Sequence, residues 1–239
     1  MTSGLWELVL RGIWTTVQLL VFSALLSGAV SFAVGMARTH RLWIVRFVAG
    51  FYTEVFRGTS ALVMIFFIFF VLPVAFGWQL VPMWAATLAL GLTYGAYGSE
   101  IVRGALNAVE PAQREGGIAL SLTPWQRMRL VVLPQAVPEM IPSFCNLLVE
   151  LLKGTALVSV MGMGDLTFSA NLVRLALQQS AEIYTYVLLI YFAIAFVLTR
   201  LMRSLEKRLK AGVGKDTGTF SAARELKRAQ TTGVGGRVA

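Results

Sequence analysis

An apolar run from about Ile13 to Met36 leaves the chain one medium in which to fold. As a helix rising 1.5 Å per residue, such a run reaches roughly 36 Å, enough to cross the hydrocarbon core of a bilayer. Further apolar stretches follow at about 60–74, 83–102, 135–160 and 183–201, separated by short polar segments. With 56% hydrophobic and 14% charged residues and a mean hydropathy of +0.70, the chain falls outside the range of ordinary soluble domains. The reading is an all-α polytopic membrane protein with about five transmembrane helices. Its net charge of +9 sits at the flanks of apolar segments, not among exposed aromatics on a compact domain, so nucleic acid is not the expected partner; lipid is. The single cysteine, Cys145, excludes an internal disulfide.

The N-terminal lead, Leu5 to Arg11, is amphipathic and lacks the basic region and cleavage site of a removable signal peptide. In the first span Ser27, Ser31 and Gly35 recur at four-residue spacing, which lets another helix approach closely in lipid. Arg38, His40, Arg41 and Arg46 follow, and the mixed segment to Arg57 is expected to lie along the interface, with Glu54 and Arg57 paired at i, i+3. The second span begins near Gly58, and the loop from Pro73 to Pro82, free of Lys and Arg, is placed outside. Gly91, Gly95 and Gly98 on the third span predict a tight helix contact, and Glu100 and Arg103 near its end form an interfacial ion pair.

The fourth span opens on Pro134, Pro138 and Pro142, which predict an irregular start because each removes a backbone donor and crowds the preceding turn. Its remainder carries Glu139, Ser143, Asn146, Glu150 and Lys153, which at about 100° per residue fall within an arc of roughly 80°. Ionisable groups at membrane depth face a bundle interior or a wet cavity. Two arrangements satisfy such a stripe: a solute path, with Asn146, Glu150 and Lys153 as the contacting residues, or a packing interface in which Glu150 pairs with Lys153. The segment 162–182, with Asp165, Asn171, Arg174 and Gln178, is expected to be an external loop containing an amphipathic helix, and a last span precedes a basic helix from Arg203 to Lys210. Residues 1–210 thus read as one membrane domain, with a disordered cytoplasmic tail at 211–239.

Lys and Arg counts orient the chain. With five spans and the N-terminus outside, eighteen basic residues fall inside and only Arg11, Lys153 and Arg174 outside. The C-terminus and the loop at about 104–134 are then cytoplasmic.

That loop holds the most specific signal. Arg114 to Pro134 is polar and basic between two apolar segments; Pro111 suits a first helical position, and the helix can run to about Leu120. Thr123, Pro124 and Gln126 restart it with a capping box. The segment resembles the "EAA" loop of ATP-binding-cassette importer permeases. Glu115 stands at the acidic position, Ser121 at the Gly position, Val131 at the Ile position, and Leu133 with Pro134 closes the motif. Gly116 and Gly117 replace two Ala residues and Ser121 replaces Gly; the glycines weaken the first helix by roughly 1 kcal/mol each, so it should depend on a partner surface. The resemblance extends to Glu54-Val55-Phe56-Arg57-Gly58-Thr59, to Tyr94-Gly95-Ala96-Tyr97 with Glu100, Arg103 and Gly104, and to Leu152-Lys153-Gly154-Thr155, and is closest to permeases for polar amino acids.

What the resemblance implies is a permease subunit in a bacterial inner membrane, taking a polar amino acid or related zwitterion such as an opine or ectoine. It implies an ATP-binding subunit dimer docked on Glu115, Gly116, Gly117, Ser121, Leu133 and Pro134, a second permease subunit, and an external solute-binding protein. The chain lacks a phosphate loop of its own, so ATP is expected on another chain and no cofactor or metal here. No nucleophile–base–acid set is visible, with His40 the only histidine. Two readings from other classes are an ion-coupled secondary transporter and a non-transporting membrane scaffold. Internal repeats and broken midmembrane helices would favour the first; the EAA-like spacing has no place in the second.

Overall fold

The computed structural model describes residues 3–77 and 80–212. Every regular element among them is helical. Eight helices follow in order: α1 Ser3–Ala37, α2 Trp43–Gly58, α3 Ala61–Phe76, α4 Pro82–Ala108, α5 Pro111–Ala119, α6 Pro124–Met161, α7 Leu166–Leu177 and α8 Ser180–Gly212. The amphipathic lead and the first span are therefore one helix. The tail expected from residue 211 begins within the last turn of α8, and 213–239 lie outside the described residues.

Three helices, α1, α6 and α8, are long and apolar enough to cross a membrane, and α2 with α3, bent by 105° at their junction, makes a fourth candidate. Helix α4 has the length, 27 residues, but is diluted by glycine, tyrosine and a charged last third. The reason is its position. Thirteen of its residues are buried, so most of α4 meets protein and needs no lipid-compatible surface. Helix α8 is the opposite case, with 6% of its most apolar window buried.

The α1–α4 pair is the centre of the bundle, and the two rows of small residues are the two sides of its interface. A Cβ on Gly95 would lie 2.7 Å from Val30 Cγ1, and one on Gly35 would lie 2.6 Å from Val102 Cβ. Both are closer than carbon atoms approach. Ser31 Oγ is shared between the carbonyls of Ser27 at 2.6 Å and Gly95 at 3.2 Å, so this buried hydroxyl in the seam is satisfied. Around this seam Leu19, Ile65, Ala86, Leu90, Leu151 and Val158 form the main core, and Val102, Leu106, Val132, Ala136 and Met140 form a second at the end nearest α5.

The fourth span differs from expectation at its prolines. Helix α6 runs unbroken through Pro138 and Pro142, and the irregularity lies one turn earlier, in a wide π-helical turn at Met128–Val132. A similar wide turn, Phe67–Val71, precedes Pro73 in α3. Proline lacks the N–H that would bond the carbonyl four residues back and its ring crowds that carbonyl; a turn widened to i→i+5 bonding removes both conflicts. The short second helix of the loop is consequently not separate but the first turn of α6.

The segment 162–182 is less exposed than a loop. Asp165 is fully buried and caps α7, accepting hydrogen bonds from the backbone N–H of Thr167 at 3.0 Å and of Phe168 at 3.4 Å. The N–H of Leu166 donates to Thr16 Oγ1 on α1 at 3.0 Å, and Gly12 clears the space, since a Cβ there would lie 2.9 Å from the Asp165 carbonyl oxygen. Burial pushes the Asp165 carboxyl up to about 6, against the lowering effect of its backbone donors. In the sequence its charge serves only to mark the segment as an external loop with a helix. Its cap geometry and its contact with α1 put it inside.

Candidate functional site

The loop 109–134 is built from α5 and the first turns of α6. Pro111 opens α5, and Thr123 caps the first turn of α6 with both halves of the capping box made. Between them the chain reverses through two backbone bonds, Leu122 N–H to the Gly117 carbonyl at 3.0 Å and Ser121 N–H to the Ile118 carbonyl at 2.8 Å. This is a Schellman closure, and it requires a left-handed residue at its hinge. Ser121 is that residue, with φ 55. The position that carries Gly in the EAA pattern is thus one where a side chain is strained, and Ser121→Gly is expected to stabilise the loop by roughly 1 kcal/mol. Slower hydrogen exchange of the amides from 114 to 122 checks this; faster exchange would contradict the assignment of strain.

The two glycines that replace alanine differ in role. Gly117 is buried, and a Cβ there would meet the Cγ and Cδ of Arg127 at 3.1 Å, so the glycine lets α5 lie close on the first turn of α6. Gly116 faces open space. Glu115 is exposed, as is Pro134, while Leu133 packs partly against the second core. Arg114 reaches back to donate to the Leu106 carbonyl, and Gln135 Nε2 donates to Gln113 Oε1 at 3.3 Å, which ties α5 to the ends of α4 and α6.

On α6 the five polar residues Glu139, Ser143, Asn146, Glu150 and Lys153 are all exposed along one face, while Met140, Leu147, Leu151 and Leu152 are buried on the other. No ion pair joins Glu150 to Lys153 among the described residues, so the paired-stripe arrangement is not present within one chain. Tyr94 of α4 anchors the stripe's middle, its hydroxyl donating to the Glu150 carbonyl at 3.0 Å. Gly154 makes room for that ring, with a hypothetical Cβ only 2.5 Å from the Tyr94 hydroxyl oxygen.

Glu100 holds more than its i+3 neighbour. It accepts from Arg103 at 2.8 Å, from Arg57 at 3.3 Å and from Arg38, gathering the ends of α1, α2 and α4 on one carboxylate. Arg57 therefore pairs across the bundle with Glu100 and not with Glu54 on its own helix; the rotation of α2 that puts Thr53 beside Ser99 turns Arg57 toward α4. The Arg57 guanidinium also lies 5.7 Å from the centre of the Tyr97 ring, whose hydroxyl donates to the Arg57 carbonyl at 3.3 Å. The triple pairing was not read from the sequence, where the available signal was that Arg38, Arg57 and Arg103 each stand near the end of an apolar segment.

Residues 29–211 match the family described as binding-protein-dependent transport system inner membrane component. The chain belongs to this family. It is 46% identical over 201 residues to the probable amino-acid ABC transporter permease protein y4tF of Sinorhizobium fredii, covering 82% of this chain and 84% of that one. It is 32% identical over 209 residues to the arginine transport system permease protein ArtQ of Bacillus subtilis, covering 85% and 93% of the two chains. The solved structure described as an amino acid ABC transporter with histidines superposes with a TM-score of 0.78 at 29% identity, over 84% of this chain and 94% of that one. The MetNI methionine transporter, at 18% identity and a TM-score of 0.72 over 87% and 99% of the two chains, shares the fold. The protein is a multi-pass inner-membrane permease subunit of the ABC class, in a family whose ATPase is a separate subunit and whose complexes combine ATPase and permease chains.

Proposed function

We propose that this permease forms half of the translocation path of an importer for a polar amino acid or related zwitterion, with the polar face of α6 lining the path. One observation carries the reading: a stripe with Glu150 and Lys153 in an apolar helix is left exposed by the helices of its own chain among the described residues. Charged groups at that depth cannot face lipid, so a second permease subunit and water must meet them. Glu150 offers an acceptor for an ammonium group, Lys153 a donor for a carboxylate, and Asn146 serves either. Relatives named for arginine, glutamine and cystine transport support the substrate class.

Capture from outside falls to a solute-binding protein, so the path need only be weak enough to release its cargo. ATP is bound and hydrolysed by a separate subunit dimer docked on the loop, and this chain carries no cofactor. Glu115 pairs with or accepts from that dimer, beside Gly116, Gly117, Ser121, Leu133 and Pro134. The N-terminus lies outside and the C-terminus with the loop inside. Neither the ion-coupled carrier nor the scaffold draws support from the fold or the relatives.

Asn146→Leu tests the path without stranding a charge. Removing one hydrogen bond of about 1–1.5 kcal/mol is expected to lower uptake up to roughly tenfold, or to change solute preference, in a complex that still assembles. Normal uptake with unchanged selectivity, together with cysteines at 146 and 150 that are shielded from water-soluble thiol reagents in every nucleotide state, would make the stripe structural. Native mass of the solubilised complex reads the permease copy number; a fully active assembly with a single permease chain would refute the paired arrangement.

A further inference from the structure

The two sides of the loop carry opposite charge. Between α5 and the start of α6 on one side, and the turn after α1 on the other, lies a cleft of about 560 Å³. Its lining includes His40, Arg41, Arg114 and Arg127, with no carboxylate among the lining residues. A second cleft of about 360 Å³, where α4, α5 and α6 meet, has Glu110 and Glu139 and no basic residue. Such segregation is not a random surface distribution of charge. Arg114 lines this cleft while its Nη2 donates to the Leu106 carbonyl, which fixes the guanidinium in place. An anionic oxygen is the natural complement of such a group.

The remaining lining decides which anion fits. Apart from Thr39, the other walls are apolar, with Met36, Ile118, Met128, Val132 and the exposed indole of Trp125 among them. The rim at Arg41 continues directly into Leu42, Trp43, Ile44 and Phe47, which are 59–66% exposed and form an apolar strip. Trp43 and Trp125 flanking a basic hollow is the composition of a membrane–water interface. A free phosphate has no use for apolar walls. A lipid uses both parts.

We infer that this cleft seats the phosphate headgroup of an anionic phospholipid, held by Arg41, Arg114 and Arg127, with the acyl chains running along Trp43, Ile44 and Phe47. The inference rests on the proposed orientation only in placing that lipid in the cytoplasmic leaflet, where anionic headgroups and basic clefts between helices meet. Bound there, the lipid bridges the turn after α1 to the loop, and so ties the α1–α4 core to the element proposed to receive the ATPase.

The test is lipid retention by the delipidated full-length chain, measured by native mass spectrometry with phosphatidylglycerol or phosphatidylethanolamine of matched acyl chains. The wild-type chain is expected to retain phosphatidylglycerol in preference. The Arg41→Gln, Arg127→Gln double variant should bind it at least about tenfold more weakly, while Arg203→Gln with Lys207→Gln, the same loss of charge on α8, should bind as wild type. Arg114 is left in place because it also holds the Leu106 carbonyl. Equal retention of the two lipids by the wild type overturns the inference without reference to any variant, as does equal weakening by the α8 pair. Displacement of the lipid by millimolar inorganic phosphate would show that the cleft recognises a soluble anion and would overturn the lipid assignment. None of these readings requires ATP or solute, so failure here is distinct from failure of the proposed transport role.

Discussion

Glu100→Gln is expected to lower the melting temperature of the permease by about 4–8 °C, the largest stability effect of any single neutral substitution at this site. The glutamine keeps the shape of the side chain and removes its charge, leaving the guanidiniums of Arg38, Arg57 and Arg103 gathered around a neutral amide. Stripping the partner from a fully buried pair costs roughly 3–5 kcal/mol, and side chains that are 16–39% exposed recover part of that from water, which leaves about 2 kcal/mol. Thermal unfolding of the purified chain measures it. If the loss is electrostatic, adding Arg38→Gln to the variant should restore part of it, because one of the crowded cations is gone. An unchanged melting temperature in Glu100→Gln would show that the cluster is solvated and holds nothing together.

Glu115→Lys has the larger functional effect and almost no structural one. Glu115 is exposed on α5 and makes no ion pair among the described residues, so the substitution leaves the fold of the isolated chain intact. In the assembled transporter it reverses the charge that the ATPase subunit is proposed to meet. A charge pair across such an interface contributes a few kcal/mol, so uptake should fall at least about a hundredfold while ATP hydrolysis loses its response to solute. The helix itself is marginal, with Gly116 and Gly117 in its middle, which makes docking depend strongly on the contacts that remain. Unchanged transport at normal expression would remove Glu115 from the coupling role.

How much of this was legible in the sequence varied with the physics of each part. The α1–α4 seam was readable because close approach in lipid needs small residues at helical spacing, and Ser31, Gly35, Gly95 and Gly98 supply them on both sides. The loop's ends were readable because Pro111 and the Thr123–Gln126 box are local signals that need no partner. Ser121 was legible only as a departure from a pattern; that it is strained follows from a backbone angle set by the Schellman closure. The pairing of Arg57 was misassigned to Glu54, because i, i+3 spacing describes one helix and the actual partner comes from another. Asp165 was legible only as one of the polar residues marking a loop with a helix; its burial depends on the contact with Thr16 and the cleared space at Gly12, which are tertiary. The prolines of α6 were correctly read as disruptive, but the disruption moved to a π turn one turn earlier, which a propensity argument does not locate.

The account stands most directly on one measurement: uptake of labelled polar amino acids into proteoliposomes containing this permease with the ATPase and solute-binding protein proposed to work with it. The expected result is uptake that requires ATP, the binding protein and this chain together, that stops when any one is omitted, and that is lost in Glu115→Lys while the complex remains assembled. Uptake that persists without the ATPase and follows an imposed ion gradient, or ATP-dependent uptake that proceeds with this chain left out, would contradict it.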